Sequence, residues 1–527
     1  MTSTPGVVPS PAGADWVARW RGRIVGDPRR RRLYAWLAPT LLTLLAAVLR
    51  FAGLGHPHAI VFDETYYVKD AWSQWILGYP ATWPPDADTS FLAGDTDIFT
   101  TTGSFVVHPP LGRILIGAGM ALFGADSSFG WRFAVAVFGT ATVLVLYHLA
   151  RVLTGSRGWA SVAAFLLAID GLAIVMSRIA LLDGLLTFFL VLALLFVALD
   201  RRRRPDRLAA LVIAHEHAPR FGPVLWGRPW LIAAGAALGA ATAVKWSGLY
   251  VLAGVGLYVV VADAIDRRRA GVVLWPADAA FRQGPVSFLQ LVPVAFVVYL
   301  ASWTSWLTTD GGYSRHAVDA APATGFWSWV PLPLQDLWAY HQAIYAFHVG
   351  LTTPHGYASP AWQWPFLIRP TSMYWHQDAA GANGCALPSG CTEAISSIPN
   401  PLLWWAGVIA ALFLVWWAVR RRSGRAALVL VGIASTYVPW LLYPERTIFQ
   451  FYTVAILPFL VLAVVFALRE LAGIGAAERP PRRTGRRLVI AFLVLVLVIS
   501  AFWYPVWTGI DVPYEFWRLH NWLPTWV

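Results

Sequence analysis

The sequence predicts an all-α polytopic membrane protein, on three observations. Of 527 residues, 57% are hydrophobic and only 13% charged, a balance that ordinary soluble domains do not show. The apolar residues fall in runs of about 17–25, the length that crosses a hydrocarbon core as a helix. The basic residues cluster between those runs, and 30 Trp residues supply the aromatic belts expected where bilayer meets water.

Taken in order, about eleven transmembrane helices are predicted: 34–54, 130–150, 158–175, 180–199, 229–244, 248–264, 287–305, 401–419, 425–443, 447–468 and 487–505. The first run is long enough to span rather than to be removed as a signal peptide. The short run at 111–124 follows Pro109-Pro110 and is expected to lie along the outer interface. Alternate loops, 1–33, 151–157, 200–228, 265–286, 420–425 and 469–487, hold 30 of the 40 Lys and Arg residues, including Arg29–Arg32, Arg201–Arg204, Arg267–Arg269 and Arg420–Arg422. The positive-inside rule then makes the N-terminus cytoplasmic and the C-terminus extracytoplasmic. The net charge of +12 is thereby topology charge, and nucleic acid is excluded as a partner. The domains read as a cytoplasmic Arg-rich tail (1–33), a transmembrane domain (34–505) and an outer tail (506–527). Two outer segments, 55–129 and 306–400, are too long and too rich in Trp, Pro and His to be connectors, so function is expected there.

The first outer segment carries Asp63-Glu64, just beyond the first span and followed by Tyr66-Tyr67. An acid pair there is costly unless water or substrate meets it; the bland reading is a helix cap. An outer-face enzyme has no access to ATP or nucleotide sugars, and the chain carries no Walker or Rossmann glycine pattern. An activated lipid is the natural donor. Its phosphate leaves as a stable anion and needs cations rather than a strong acid, while an acceptor hydroxyl needs a base. Asp63 is the candidate base with Glu64 in support. Arg178, Lys245 and Arg446 stand at outer ends of different spans and are candidates for the phosphate; Arg178 is alternatively paired with Asp183, and Arg446 with Glu445. His108-Pro109-Pro110-Leu111-Gly112-Arg113 reads as a corner. His341, His348 and His355 recur every seven residues, but Pro354 and Gly356 break the helix and no acidic or Cys ligand stands at metal spacing, so no metal is expected. Trp362-Gln363-Trp364-Pro365 and Arg369 suggest an aromatic wall for a sugar or peptide. Cys385 and Cys391 are either free thiols or a small disulfide ring; an outer location favours the disulfide.

Together, Asp63-Glu64, the His108–Gly112 turn and the run Phe347–Pro360 leading into Trp364-Pro365 resemble the protein O-mannosyltransferases, membrane glycosyltransferases of the C-type fold. The resemblance covers about residues 35–520. The 306–400 segment is too short to add the β-trefoil MIR domain of eukaryotic members, so the chain is similar to the actinobacterial form; Gly356 stands where Pro is common. The resemblance implies inverting transfer of mannose from polyprenyl-phosphate mannose, the donor substrate, to Ser or Thr hydroxyls of translocated proteins, at the outer face of the plasma membrane. It implies no cofactor, and a partner in the protein translocation machinery. Asp63 would be the base and Arg178, Lys245, Gln363, Arg369 and Arg446 the donor-phosphate group. Tyr66, Tyr67, His108, His348, His355 and Trp364 would contact acceptor or sugar. The alternative is the same chemistry on a lipid or cell-wall glycan; a transporter fits less well, because the acids lie at the outer edge rather than the midplane.

Overall fold

A computed structural model describes residues 27–213, 218–473 and 483–527. The chain folds as a bundle of α1 (Pro28–Phe51), α2 (Glu64–Leu77), α3 (Leu111–Phe123), α4 (Ser128–Thr154), α5 (Arg157–Ala168), α6 (Leu182–Ile213), α7 (Pro229–Val244), α8 (Gly248–Arg269), α9 (Trp275–Ser302), α10 (Leu332–Gly350), α11 (Pro401–Arg421), α12 (Gly424–Tyr437), α13 (Leu457–Leu471) and α14 (Arg483–Thr508). Among the described residues, eight helices are long and apolar enough to cross a membrane. The predicted spans 158–175, 229–244 and 447–468 fall on the shorter α5, α7 and α13. The first of these is cut at Asp170, whose carboxylate accepts from Ala173 N and starts a separate turn, Gly171–Val175.

Helices outrun the apolar runs that predict them. Asp27 caps Arg29 N and Pro28 takes the first helical position, so Arg29–Arg32 sit in the opening turns of α1 rather than in a loop. Arg201–Arg204 likewise lie within α6 and Arg267–Arg269 within α8. Residues 1–26 of the predicted tail lie outside the described residues.

At the centre, α6 packs against α4 and α7, and α7 against α9. The last approach is close because α7 carries Gly235 and Gly239, where a Cβ would run into the carbonyls of Leu291 and Ala295. The outer surface is apolar: Leu257 and Leu412 are 70% exposed and Val419 75%, a surface that suits lipid as solvent.

The fold is not wholly helical. Within residues 306–400, β1 (Thr371–Asp378) pairs antiparallel with β2 (Cys391–Ser397). Cys385 and Cys391 are joined in a disulfide across the connecting loop. This hairpin is short and mixes Tyr, Trp and His with Ser and Thr, so no sustained alternation marks it against the loop around it. β2 is tied to the segment after α14 through a Thr392–Val512 bridge.

Candidate active site

α2 begins where the chain turns through Phe62, at a φ of +50°. Asp63 stands just ahead of the helix, but its side chain makes no capping hydrogen bond. The helix-cap reading of the acid pair is therefore not realised at this residue. Burial raises the Asp63 carboxyl to about 6, with Lys245 opposing that shift and Asp183 adding to it.

Three distant segments converge on this carboxylate. Lys245 ends α7 and donates to both oxygens of Asp183 in the first turn of α6, at 2.9 and 2.8 Å. The same ammonium lies 4.7 Å from the Tyr452 ring centre. Tyr67, one helical turn beyond Asp63, stacks on His108 at 6.2 Å, and His108 faces His348 at 5.3 Å. His108 is placed by Arg113, which donates to its carbonyl and to Gln74 Oε1, both at 2.9 Å. His348 Nε2 contacts Val107 O at 2.8 Å, so this nitrogen carries the proton and Nδ1 accepts from Arg446 Nη2 at 3.0 Å. Burial first and Arg446 second lower His348 to about 4; burial, then Lys245 and His348, lower His108. Both imidazoles are neutral at pH 7. Arg446 also donates through Nε to His348 O and lies beside the Tyr452 hydroxyl and over the Trp440 ring, while its buried Nη1 makes no well-formed hydrogen bond. The predicted Arg446–Glu445 pair is replaced by these contacts.

The acid pair is divided in role by its surroundings. Glu64 is fully buried, and its oxygens take two bonds from Arg132, one from Val61 N and one from Ala180 N. No open lone pair is left for base work. Arg178 is likewise committed: its guanidinium donates to Arg50 O, Ala52 O and Gly53 O, closing the end of α1. It does not pair with Asp183. Arg369 is occupied by Gly356 O, Thr525 O and Val527 O, over the Tyr357 ring. Trp364 is 1% exposed and packs within the core, donating to Ser359 O; a wall that touches substrate cannot be built from it. Gln363 accepts from Ser359 Oγ at 3.4 Å. Tyr66 is exposed. His355 lies against Phe449 and Phe62, at 4.9 and 5.9 Å, and so borders the Asp63 turn. Of the three heptad-spaced histidines, His341 and His348 both pack against Trp246, at 5.6 and 6.0 Å, whereas His355 lies beyond the end of α10 on Phe449, so the three are not gathered at one point. Among the described residues no group of three or more His, Cys, Asp or Glu could hold a metal.

Sequence reasoning gave Asp183 only a structural pairing and passed over Trp246 and Tyr452. Asp183 carried a usable signal, a lone carboxylate opening a long apolar run. Tyr452 and Trp246 carried none, being aromatic residues in a chain rich in them.

A polytopic helical protein with an uncapped carboxylate beside a lysine, an arginine and neutral imidazoles defines a membrane enzyme that works on an anionic substrate. Residues 40–308 match the family described as dolichyl-phosphate-mannose-protein mannosyltransferase, and residues 333–526 match the C-terminal four-transmembrane region of protein O-mannosyltransferase. The chain belongs to the protein mannosyltransferase family of membrane glycosyltransferases. It is 33% identical to the polyprenol-phosphate-mannose–protein mannosyltransferase of Mycobacterium tuberculosis, covering 94% of this chain and 92% of the relative. It is 30% identical to the protein of that name from Corynebacterium glutamicum, covering 94% and 93%. In fold it is similar to the Saccharomyces cerevisiae Pmt1–Pmt2 complex bound to the sugar donor, with a TM-score of 0.70 at 17% identity, covering 93% and 92%.

Proposed function

We propose that this chain transfers mannose from polyprenyl-phosphate mannose to Ser or Thr hydroxyls of polypeptides, by direct displacement at the extracytoplasmic face of a plasma membrane. The basic clusters of Arg29–Arg32, Arg201–Arg204 and Arg267–Arg269 support a cytoplasmic location for the opposite ends of their helices. The acceptor oxygen bonds to the anomeric carbon as the carbon–oxygen bond to phosphate breaks. The electron pair leaves with the lipid phosphate, and the hydroxyl proton passes to Asp63. Lys245, held by Asp183, and Arg446, whose Nη1 makes no well-formed hydrogen bond, meet the charge that grows on phosphate. Tyr67, His108 and His348 supply neutral hydrogen-bonding groups for sugar or acceptor. Glu64 acts through the backbone: with Arg132 it fixes the turn that aims Asp63.

The observation that carries this reading is the Asp63 carboxylate, uncapped, in the field of Lys245 and raised to about 6. A base near the working pH is more effective than an ordinary carboxylate. Transfer of radiolabelled mannose from polyprenyl-phosphate mannose to a Ser/Thr-rich peptide, in membranes containing the protein, tests it. Wild type should label the peptide and Asp63→Asn should not, while both retain donor. Labelling of a lipid or glycan but never of peptide would overturn the choice of acceptor.

A further inference from the structure

About 30 Å along α6 from Asp183, at 1.5 Å per residue, the bundle ends in a second concentration of charge. Arg228 holds Asp200, Asp263 and Ser287; Arg201 and Arg204 hold Asp266, and Arg204 also contacts Asp263. These three arginines and three aspartates balance. A cavity of about 510 Å³ opens beside them, and Arg202 and Arg207 line it in addition to Arg204 and Arg228. No ion pair or hydrogen bond from described residues occupies the Arg202 or Arg207 guanidinium, and that of Arg207 lies over Gly227. Arg204, 5% exposed, lines the same cavity with a buried Nε that has no partner. The other wall is apolar, built from Leu225, Pro229 and Trp230. Trp226, between the lining residues Leu225 and Gly227, is 60% exposed, and Trp230 of the wall itself is 44% exposed.

We propose that this cavity binds the phosphate-bearing headgroup of an anionic lipid. Arg202 and Arg207 meet the phosphate, Arg204 Nε faces it from the floor, and the Pro229–Trp230 wall receives the glycerol and first chain carbons. The volume suits a ligand of that size. A charge excess on one wall and apolar surface on the other distinguish it from a site for a small soluble anion, and basic pockets between helices are where anionic lipid headgroups settle. Assigning the site to the cytoplasmic leaflet rests on the topology proposed above; binding itself does not.

The test is native mass spectrometry of the full-length protein in detergent, titrated separately with phosphatidylglycerol, phosphatidylcholine and inorganic phosphate. The comparison is between wild type, an Arg202→Gln/Arg207→Gln variant and an Arg420→Gln/Arg421→Gln variant from another exposed cluster. Wild type should prefer phosphatidylglycerol over phosphatidylcholine by about tenfold or more. The 202/207 variant should lose that preference and the 420/421 variant should keep it. An Arg202→Lys/Arg207→Lys variant should regain part of it, which a folding defect would not allow. Equal losses in both Gln variants would reduce the effect to general surface charge and overturn the proposal. Inorganic phosphate displacing the lipid at equal concentration would overturn the lipid assignment in favour of a soluble phosphate.

Discussion

At the Asp63 end of the bundle, charged groups keep unused capacity: Asp63 caps nothing, and the Arg446 Nη1 makes no well-formed hydrogen bond. At the far end of α6, Asp200, Asp263 and Asp266 are closed on by Arg201, Arg204 and Arg228. The same residue types therefore do opposite work. A saturated carboxylate holds helices together, and an unsaturated one is available to substrate. The sharpest version of this contrast lies between neighbours, since Asp63 is open and Glu64 receives four donors.

The largest effect should come from the open member. Asp63→Asn keeps the shape and removes the proposed base, so the transfer rate should fall about 10²–10⁴-fold, read as labelled peptide per minute at saturating donor. Folding should not suffer. A carboxyl raised from its ordinary value to about 6 favours the folded state fully below the unfolded value, and that advantage is lost as pH rises through about 6. At pH 7 the ionised Asp63 is thus a burden on the fold, and Asn should raise stability by on the order of 1 kcal/mol, partial exposure having been allowed for. A fall in melting temperature for Asp63→Asn would mean that the carboxylate is structural after all.

The reverse pattern is expected next door. Glu64→Ala leaves Arg132 buried at 1% exposure without its partner, and breaking such a pair costs about 3–5 kcal/mol. Melting in detergent should show that loss even without substrate. Arg228→Gln at the far end should destabilise comparably while leaving the donor KM of the surviving protein unchanged. If Glu64→Ala protein melted like wild type but was inactive, the division between the neighbours would fail.

How much of this was legible in the sequence follows the same line. Helices were readable because lipid-facing residues repeat without interruption; the β1–β2 hairpin was not, because its strands mix aromatic and small polar residues. Asp63 stood out as half of an acid pair, and Arg178, Lys245 and Arg446 as isolated cations at span ends; the structure brings Lys245 and Arg446 to the Asp63 region, around Tyr452, but commits Arg178 to backbone carbonyls. Partner choice was invisible. Asp183 is five positions from Arg178 but pairs with Lys245, 62 residues away, and Arg178 turns instead to backbone carbonyls at the end of α1. Sequence proximity ranks charge pairs poorly when helices set the distances. Trp364 misled for a related reason: an aromatic residue in a loop-rich segment looks available, whereas this one sits beneath Trp404 and Trp440.

The pH profile gives a smaller effect. With Asp63 raised to about 6, kcat/KM should rise with pH through about 6 and level by about 7.5, because only the ionised form accepts the proton. His108 and His348 are held neutral by burial and nearby cations, so neither should add an inflection between pH 6 and 8. A Lys245→Gln variant removes the cation that opposes the Asp63 shift, and its acid limb should move to higher pH. An unmoved limb would assign that inflection to another group.

The smallest effect is expected at Tyr66, and it is informative because its neighbour differs. Tyr66 is 66% exposed, whereas Tyr67 faces His108 across 6.2 Å. A side chain in solvent gives up little when removed, and away from named features surface changes stay within about 0.5 kcal/mol. Tyr66→Ala should therefore leave peptide labelling within about twofold of wild type. Tyr67→Phe, which deletes only a hydroxyl on the site-facing side, should lower kcat/KM by more than Tyr66→Ala does. A larger loss from the exposed residue would extend the acceptor path along the outer face of α2, and unused capacity would then no longer suffice to mark where substrate lies.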